Sequence, residues 1–422
     1  MSPDGSFLSS FLGALQGTIS VLLTVLAGYA FARPGKLDHT TVRRISKLCA
    51  NLFLPCLIIE QMGPQLTAEK LARLWVVPVW GLASTLLAHL IGWAGQAVLR
   101  LPYWTIVAAG RPNTTALPLL LLQALASTGV LDALGDGEDA GTTLRRAKAM
   151  ILLNVIVQQT FTFQTAPAIL KRDDGRKKDA EDGNRLRTGP GRTSPIVQDH
   201  EHVGLLHDHD GMEDDEQIDY HDALNPIEDT PDLHWPLCLG PLEKPVKAIY
   251  SYMSPPLIGA IIALFLGMIP PLNSLFFSPD GALYASITQS IENLGELFVA
   301  LQAFTVGAEL ANVPSIRPGI VPMVFVLAVR FVVMPALSFL FVWLTAGRGF
   351  YVDDPLVWFV LIIIPAGPSA MLLANVAELV KVDIGPIIGY LTIAYMLSPL
   401  LAAVCSLGLK LVESLQARDG GH

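Results

Sequence analysis

The chain has 422 residues, 52% of them hydrophobic and 15% charged, with a mean hydropathy of +0.48, which excludes a soluble protein of this length. Its formal charge of -9 says little about the fold, because much of the acidity lies in one hydrophilic stretch between residues 173 and 243. Cys49, Cys56 and Cys405 lie in apolar segments and Cys238 near the end of that stretch; with no CxxC spacing, neither a disulfide framework nor a thiolate metal site is expected.

A bilayer core takes about 20 mostly apolar residues per helix. Such runs occur near 9–31, 45–62, 74–98, 103–126 and 147–170, and again near 255–270, 287–310, 319–345, 356–379 and 385–411. The N-terminus lacks the basic region of a secretory signal and the first run is long enough to span, so a retained first helix is expected. The expected fold is an all-α membrane protein of about ten transmembrane helices. Residues 1–170 form the first membrane repeat, 171–250 a hydrophilic and largely disordered cytosolic loop, and 251–422 the second repeat.

Lys and Arg set the orientation. One side carries Arg33, Lys36, Arg43, Arg44, Lys47, Arg100, the cluster from Lys171 to Lys178, Lys244, Lys247, Arg317 and Lys381. The other has Lys70, Arg73, Arg145, Arg146, Lys148, Arg348, Lys410 and Arg418, which leaves the central loop in the cytosol and both termini outside or in a lumen. An odd number of spans per repeat makes the second copy enter from the opposite side, so the repeats are inverted. Faint self-similarity agrees: the stretch from Asn51 to Glu60 lines up loosely with that from Leu301 to Glu309.

In the central loop, His200, His202, His207 and His209 stand among Asp208, Asp210, Glu213, Asp214 and Asp215. A solvated acidic tract is the expected reading rather than a zinc site, since ligands on a flexible chain are not preorganised. Ser194-Pro195 beside Arg192 is a short candidate for phosphorylation.

Two spans carry helix breakers in matching places, from Arg111 to Pro118 in the fourth and from Pro365 to Ser369 in the ninth. Paired breaks of this kind mark the midplane site of a secondary transporter built from repeats. An unwound stretch survives in hydrocarbon only where it lines a cavity or packs in protein. It exposes carbonyls at the end of one half-helix and N–H groups with partial positive charge at the start of the next, which suit a cation and a carboxylate respectively. The candidate substrate-binding residues are therefore Asn113, Thr114, Thr115 and Pro118 in the first break, and Pro365, Gly367, Pro368, Ser369 and Asn375 in or after the second. If the breaks cross, four half-helix ends meet near the membrane centre.

Arg330, well inside the eighth span, costs at least about 2.5–3.5 kcal/mol to insert unless it pairs. It is either a charge partner for substrate or a structural residue, bonding carbonyls freed by a nearby break or pairing with a glutamate. Arg111 either attracts an anion or reaches for the membrane surface. Glu60 and Glu309 fall at span ends, where interfacial carboxylates are ordinary, and Glu292 and Glu296 lie one turn apart early in the seventh span. His89 is expected to bond between helices. Asn113-Thr114-Thr115 matches a glycosylation sequon, but its depth argues against modification. No Walker A sequence, HExxH or adjacent pair of aspartates within a span is present, so neither an enzyme nor a cofactor is expected and uphill transport would draw on a gradient.

Pro112-Asn113-Thr114 followed by Pro118-Leu119-Leu120 resembles the crossover of the auxin efflux carriers. Ala328-Val329-Arg330-Phe331 with Pro335-Ala336, Gly28-Tyr29-Ala30 through Gly35-Lys36-Leu37-Asp38, and Leu52-Phe53-Leu54-Pro55 are similar to other motifs of that family. Gly367-Pro368-Ser369-Ala370-Met371 looks closer to its PIN-like branch, found in plants and fungi, than to the long PIN-FORMED proteins. The resemblance implies a ten-helix inverted-repeat transporter whose crossed fourth and ninth helices bind a small organic anion, indole-3-acetate in the family, by alternating access. The family's crossover asparagine falls on Asn113 and its crossover prolines on Pro118 and Pro368; the chain departs from the pattern at Ala366 and Leu372-Leu373. An endoplasmic-reticulum membrane is the location that branch implies. The expected partners are the small organic anion and the lipid bilayer, with no nucleic acid and a homodimer left open. Two other functions remain beside this one: a sodium- or proton-coupled exchanger on the same architecture, and a membrane regulatory scaffold acting through the acidic loop.

Overall fold

Pro and Gly decide where the long apolar runs stay single helices and where they split. The computed structural model describes residues 3–65, 68–135, 137–187, 254–380 and 382–419, and among these there is helix and no strand. The expectations for the histidine-bearing acidic tract, for Ser194 and Cys238, and for Lys244, Lys247 and Lys381 lie outside the described residues.

Helix α1 (Pro3–Phe31) ends at Pro34-Gly35, where Gly35 adopts a φ of 75° that only glycine takes freely. Helices α2 (His39–Leu48) and α3 (Leu54–Met62) are joined by a π-helical turn, Cys49–Phe53, just before Pro55. Proline at that point removes one N–H donor, and a wide turn lets the helix continue around the gap. The same device recurs between α12 (Ile320–Ala328) and α13 (Met334–Thr345), where the π turn Val329–Val333 precedes Pro335 and carries Arg330.

The remaining helices of the first half are α4 (Ala68–Arg73), α5 (Val76–Leu99), α6 (Trp104–Gly110), α7 (Ala116–Ser127) and α8 (Ala140–Arg187). In the second half they are α9 (Pro255–Met268), α10 (Pro270–Phe277), α11 (Gln289–Asn312), α14 (Pro355–Ile363), α15 (Leu372–Leu379), α16 (Gly385–Met396) and α17 (Leu401–Asp419).

Among the described residues five stretches are long and apolar enough to cross a membrane unbroken: Phe11–Lys36, Val76–Leu99, Tyr284–Asn312, Ile320–Thr345 and Ser398–Arg418. The pair α9 and α10 passes the same test but bends by 107° at Pro270. The run read as one span over 385–411 is instead two helices, because Pro399 cannot donate and a short 3-10 turn, Ser398–Leu400, separates α16 from α17.

Large apolar side chains point outward along α5 and along α12–α13, among them Leu90, Trp93, Val98, Ile320, Val332 and Trp343, as expected of surfaces that face lipid rather than water. Inside, α1 and α11 approach through reciprocal glycines. A Cβ on Gly28 would lie 1.9 Å from the Phe304 carbonyl oxygen, and one on Gly307 1.8 Å from that of Val25. Small residues at such a seam let two backbones touch and gain dispersion energy where lipid offers no hydrophobic drive.

Candidate substrate site at the crossed breaks

Helices α6 and α7 are separated by Arg111–Thr115, and α14 and α15 by residues 364–371. The breaks meet. Pro112 and Ser369 form an isolated antiparallel bridge, in which the Asn113 N–H donates to the Pro368 carbonyl at 2.8 Å and the Ala370 N–H to the Arg111 carbonyl at 3.1 Å. The two breaks are thus joined backbone to backbone.

Each break also frees carbonyls, and several of them acquire a side-chain donor. In a regular helix the Ala108 carbonyl would accept from residue 112, which is proline; here the Ser369 hydroxyl donates to it at 2.6 Å. The Ala109 carbonyl, whose partner would be Asn113 N–H, receives Arg330 Nη1 at 3.4 Å. In the second break the Leu361 carbonyl loses Pro365 as donor and takes Trp80 Nε1 at 2.9 Å, while the Ser338 hydroxyl, shared with the Pro335 carbonyl at 2.8 Å, lies 3.2 Å from the Ile362 carbonyl. Arg330 Nε donates to the Gly367 carbonyl at 3.0 Å. Because the Ser369 proton is engaged with Ala108, the 2.6 Å contact between Ser369 and Tyr390 is donated by the tyrosine.

Arg330 has the geometry of a donor to freed carbonyls. The side chain is fully buried and bridges both breaks, and it does not line the cavity described next. Gly367 sits at φ 99°, a conformation only glycine adopts without strain, which explains its place between Pro365 and Pro368.

A cavity of about 130 Å³ opens beside the crossing. Asn113, Thr114, Thr115 and Asn375 line it, as do Arg111, Ala370, Met371 and Leu372. Pro118, Pro365, Gly367, Pro368 and Ser369 do not: they hold the breaks in shape from behind. Asn113 Nδ2 donates to the Tyr395 hydroxyl at 2.9 Å, and its Oδ1 accepts from the Thr115 N–H at 3.3 Å, a local turn that fixes the amide at the cavity wall. The Thr114 hydroxyl is buried and makes no protein hydrogen bond.

Arg111 is only 2% exposed and donates to the Thr162 hydroxyl at 3.0 Å, so it faces the interior and not the membrane surface. Arg43 and Lys47 from α2 also reach this cavity, although the sequence reading used them only to orient the chain. Ser46, Asn51, Gln159, Gln302 and Tyr395 add neutral polar groups, and Leu54, Phe298 and Val306 an apolar wall. Among the described residues the lining thus holds three cationic side chains and no carboxylate. These added polar residues come from four different helices, α2, α8, α11 and α16, and from the π turn after α2, and only chain folding collects them.

Two expectations need correction. Glu309 is 4% exposed and its Oε2 lacks a partner, so it is a buried carboxyl group and not an interfacial one. His89 bonds within its own helix, from Nδ1 to the Thr85 carbonyl at 2.8 Å, and its ring packs at 77° to that of Phe161 on α8.

The chain matches the family described as membrane transport protein over residues 14–406. It is 25% identical over 403 residues to an uncharacterized transporter of Schizosaccharomyces pombe, covering 86% of this chain and 87% of that one. It is 28% identical over 353 residues to Protein PIN-LIKES 6 of Arabidopsis thaliana, covering 79% and 78%, and 24% identical over 414 residues to Protein PIN-LIKES 2 of the same plant, covering 89% and 90%. With that match along nearly its whole length, the chain belongs to the membrane transport protein family, that of the auxin efflux carriers, and is a multi-pass membrane transporter.

Proposed function

We propose that this transporter is a secondary carrier of a small organic anion with an apolar body, auxin-like in chemistry, which it binds at the crossed breaks and moves by alternating access. One observation carries the reading: among the described residues, the cavity beside the crossing gathers Arg43, Lys47 and Arg111 with no acidic residue in its lining. Such a field attracts an anion and repels a cation. The second N–H of the Asn113 amide and the Thr114 hydroxyl are placed to donate to a carboxylate, and Leu54, Phe298 and Met371 to hold an aromatic or aliphatic body.

The fold behind this reading is a pair of inverted repeats, residues 1–170 and 251–422, with about ten transmembrane helices in all and α6–α7 and α14–α15 as the fourth and ninth spans. Residues 171–250 join them on the cytosolic side, where Lys and Arg concentrate. The cavity then opens to the cytosol, since Arg43 and Lys47 belong to the first cytosolic loop. An endoplasmic-reticulum membrane follows from the PIN-like resemblance.

The test is uptake of labelled indole-3-acetate and related acids into vesicles containing the purified protein, with Asn113→Ala beside it. Uptake above protein-free vesicles that falls in the variant supports the site; equal uptake by both removes Asn113 from it.

A further inference from the structure

Two arginines are buried at the crossing, and they are met very differently. Arg330 donates to the Gly367 and Ala109 carbonyls, so backbone oxygens freed by the breaks lie against its guanidinium. Among the described residues the Arg111 side chain has a single hydrogen bond, from Nη1 to the Thr162 hydroxyl at 3.0 Å, and its Nε is buried without a partner. No carboxylate pairs with it among the described residues. A cation that is 2% exposed and lacks both a counter-charge and a full set of acceptors is strongly destabilising inside a membrane protein.

The surroundings hold this guanidinium in place without satisfying it. The Thr162 hydroxyl donates to the Gln158 carbonyl one turn back on α8 at 2.7 Å, which leaves its oxygen lone pairs to accept from Arg111. With Nη1 engaged there, the edge formed by Nε and Nη2 remains, the pair of parallel donors whose geometry fits a carboxylate. Arg111 borders the larger cavity, and so does Thr114, whose buried hydroxyl also lacks a partner. Helix α7 begins beside them at Ala116 with no side-chain cap, so the partial positive charge of its N-terminal end adds to the same field. The other two cations of the lining differ. Arg43 and Lys47 are only half-buried, where water tempers their charge, and Arg43 has Glu378 3.4 Å away.

We propose that Arg111 is the specificity-determining residue of this carrier: its guanidinium, together with Thr114, takes the ionised head of the ligand, and Thr162 positions it from behind. One unmet cation calls for one negative charge, so the ligand class is an ionised monocarboxylate. The neutral amide of the same acid is rejected because it leaves the guanidinium buried and uncompensated. This rests on the anion-binding reading given above and adds which of the three cations reads the charge.

The experiment measures, at neutral pH in detergent, binding of indole-3-acetate and of its neutral isostere indole-3-acetamide to the full chain. Wild type, Arg111→Gln, Arg111→Lys and Thr162→Val are compared, and each empty protein is also melted. Wild type is expected to prefer the acetate about thirtyfold or more, the effect of one buried charge pair. Arg111→Gln should lose that preference by weakening the acetate alone. Without ligand it should melt at or above wild type, since it removes an uncompensated charge, whereas loss of a merely structural arginine would lower the melting temperature and spare the preference. Arg111→Lys should keep a reduced preference, because an ammonium carries the charge without the planar fork. Thr162→Val should weaken the acetate several-fold while the amide binds as before. An Arg111→Gln protein that prefers the acetate as wild type does, or that melts lower or fails to fold, overturns the proposal and leaves the site reading standing. A wild type that binds both ligands alike, or neither, removes the site reading and this assignment with it.

Discussion

The two breaks carry the same kinds of residue, yet they do different work. The first, Arg111–Thr115, turns its polar side chains to the cavity, with Asn113, Thr114 and Thr115 all in the lining. The second keeps Pro365, Gly367, Pro368 and Ser369 buried and away from the cavity, where they shape the crossing and cap the partner break. Two matching motifs therefore need not be two matching sites. In this crossing one break turns its polar side chains to the cavity, and the other supplies hydrogen bonds that let the first unwind.

If that division is right, variants of the supporting network lower stability, and variants of the lining lower affinity. Arg330→Met should have the largest effect, since it strands the buried Gly367 and Ala109 carbonyls at about 1–3 kcal/mol each, read as a drop in the unfolding temperature in detergent. Asn113→Ala should instead weaken ligand binding about ten- to a hundredfold while melting near wild type, as expected for a hydrogen bond to a charged group. A stability loss in Asn113→Ala with unchanged affinity would break the comparison outright.

Gly367→Ala and Ser369→Ala sharpen it from the other side. Each should cost about 1–3 kcal/mol, the first through a φ of 99° and the second by orphaning the Ala108 carbonyl, with affinity kept in the folded fraction. Trp80→Phe retains an aromatic ring against Phe341, 3.8 Å away, but loses the donor to Leu361, so about 1 kcal/mol is expected in the same melting assay.

The smallest effect lies outside the membrane, at Asp38. The Thr40 and Thr41 hydroxyls donate to its carboxylate and hold it down at about 2, below the ordinary 3.8. A depressed carboxyl adds stability above its unfolded value and loses it as pH falls from 3.8 through about 2. Amide exchange at the start of α2 should therefore quicken across that window in wild type and change little in Asp38→Asn.

Much of the crossing was legible because proline acts locally: Pro112, Pro365 and Pro368 cannot donate and stand where the chain unwinds, while Pro118 sits in the first turn of α7, where its missing N–H costs no helical bond. The caps were not legible, for the reason that Trp80 meets Leu361 and Asn113 meets Tyr395 from opposite halves of the chain. Composition does not announce which indole or hydroxyl will face which carbonyl. Arg43 and Lys47 hid for another reason. Charge counting treats a basic residue near a span end as a topology marker, whereas here both reach the cavity wall. The split of the last apolar run was readable at Ser398-Pro399, but hydropathy averaged across it.

The bridge between Pro112 and Ser369 has a consequence for biosynthesis. When the first half leaves the ribosome, the Ala108 and Ala109 carbonyls and the Asn113 amide still await partners that are encoded more than 200 residues later. In hydrocarbon each unmet group costs several kcal/mol. Nascent chains stalled ahead of Arg330 should consequently stay bound to the insertion machinery, and they should be released into lipid only once the second break has been made.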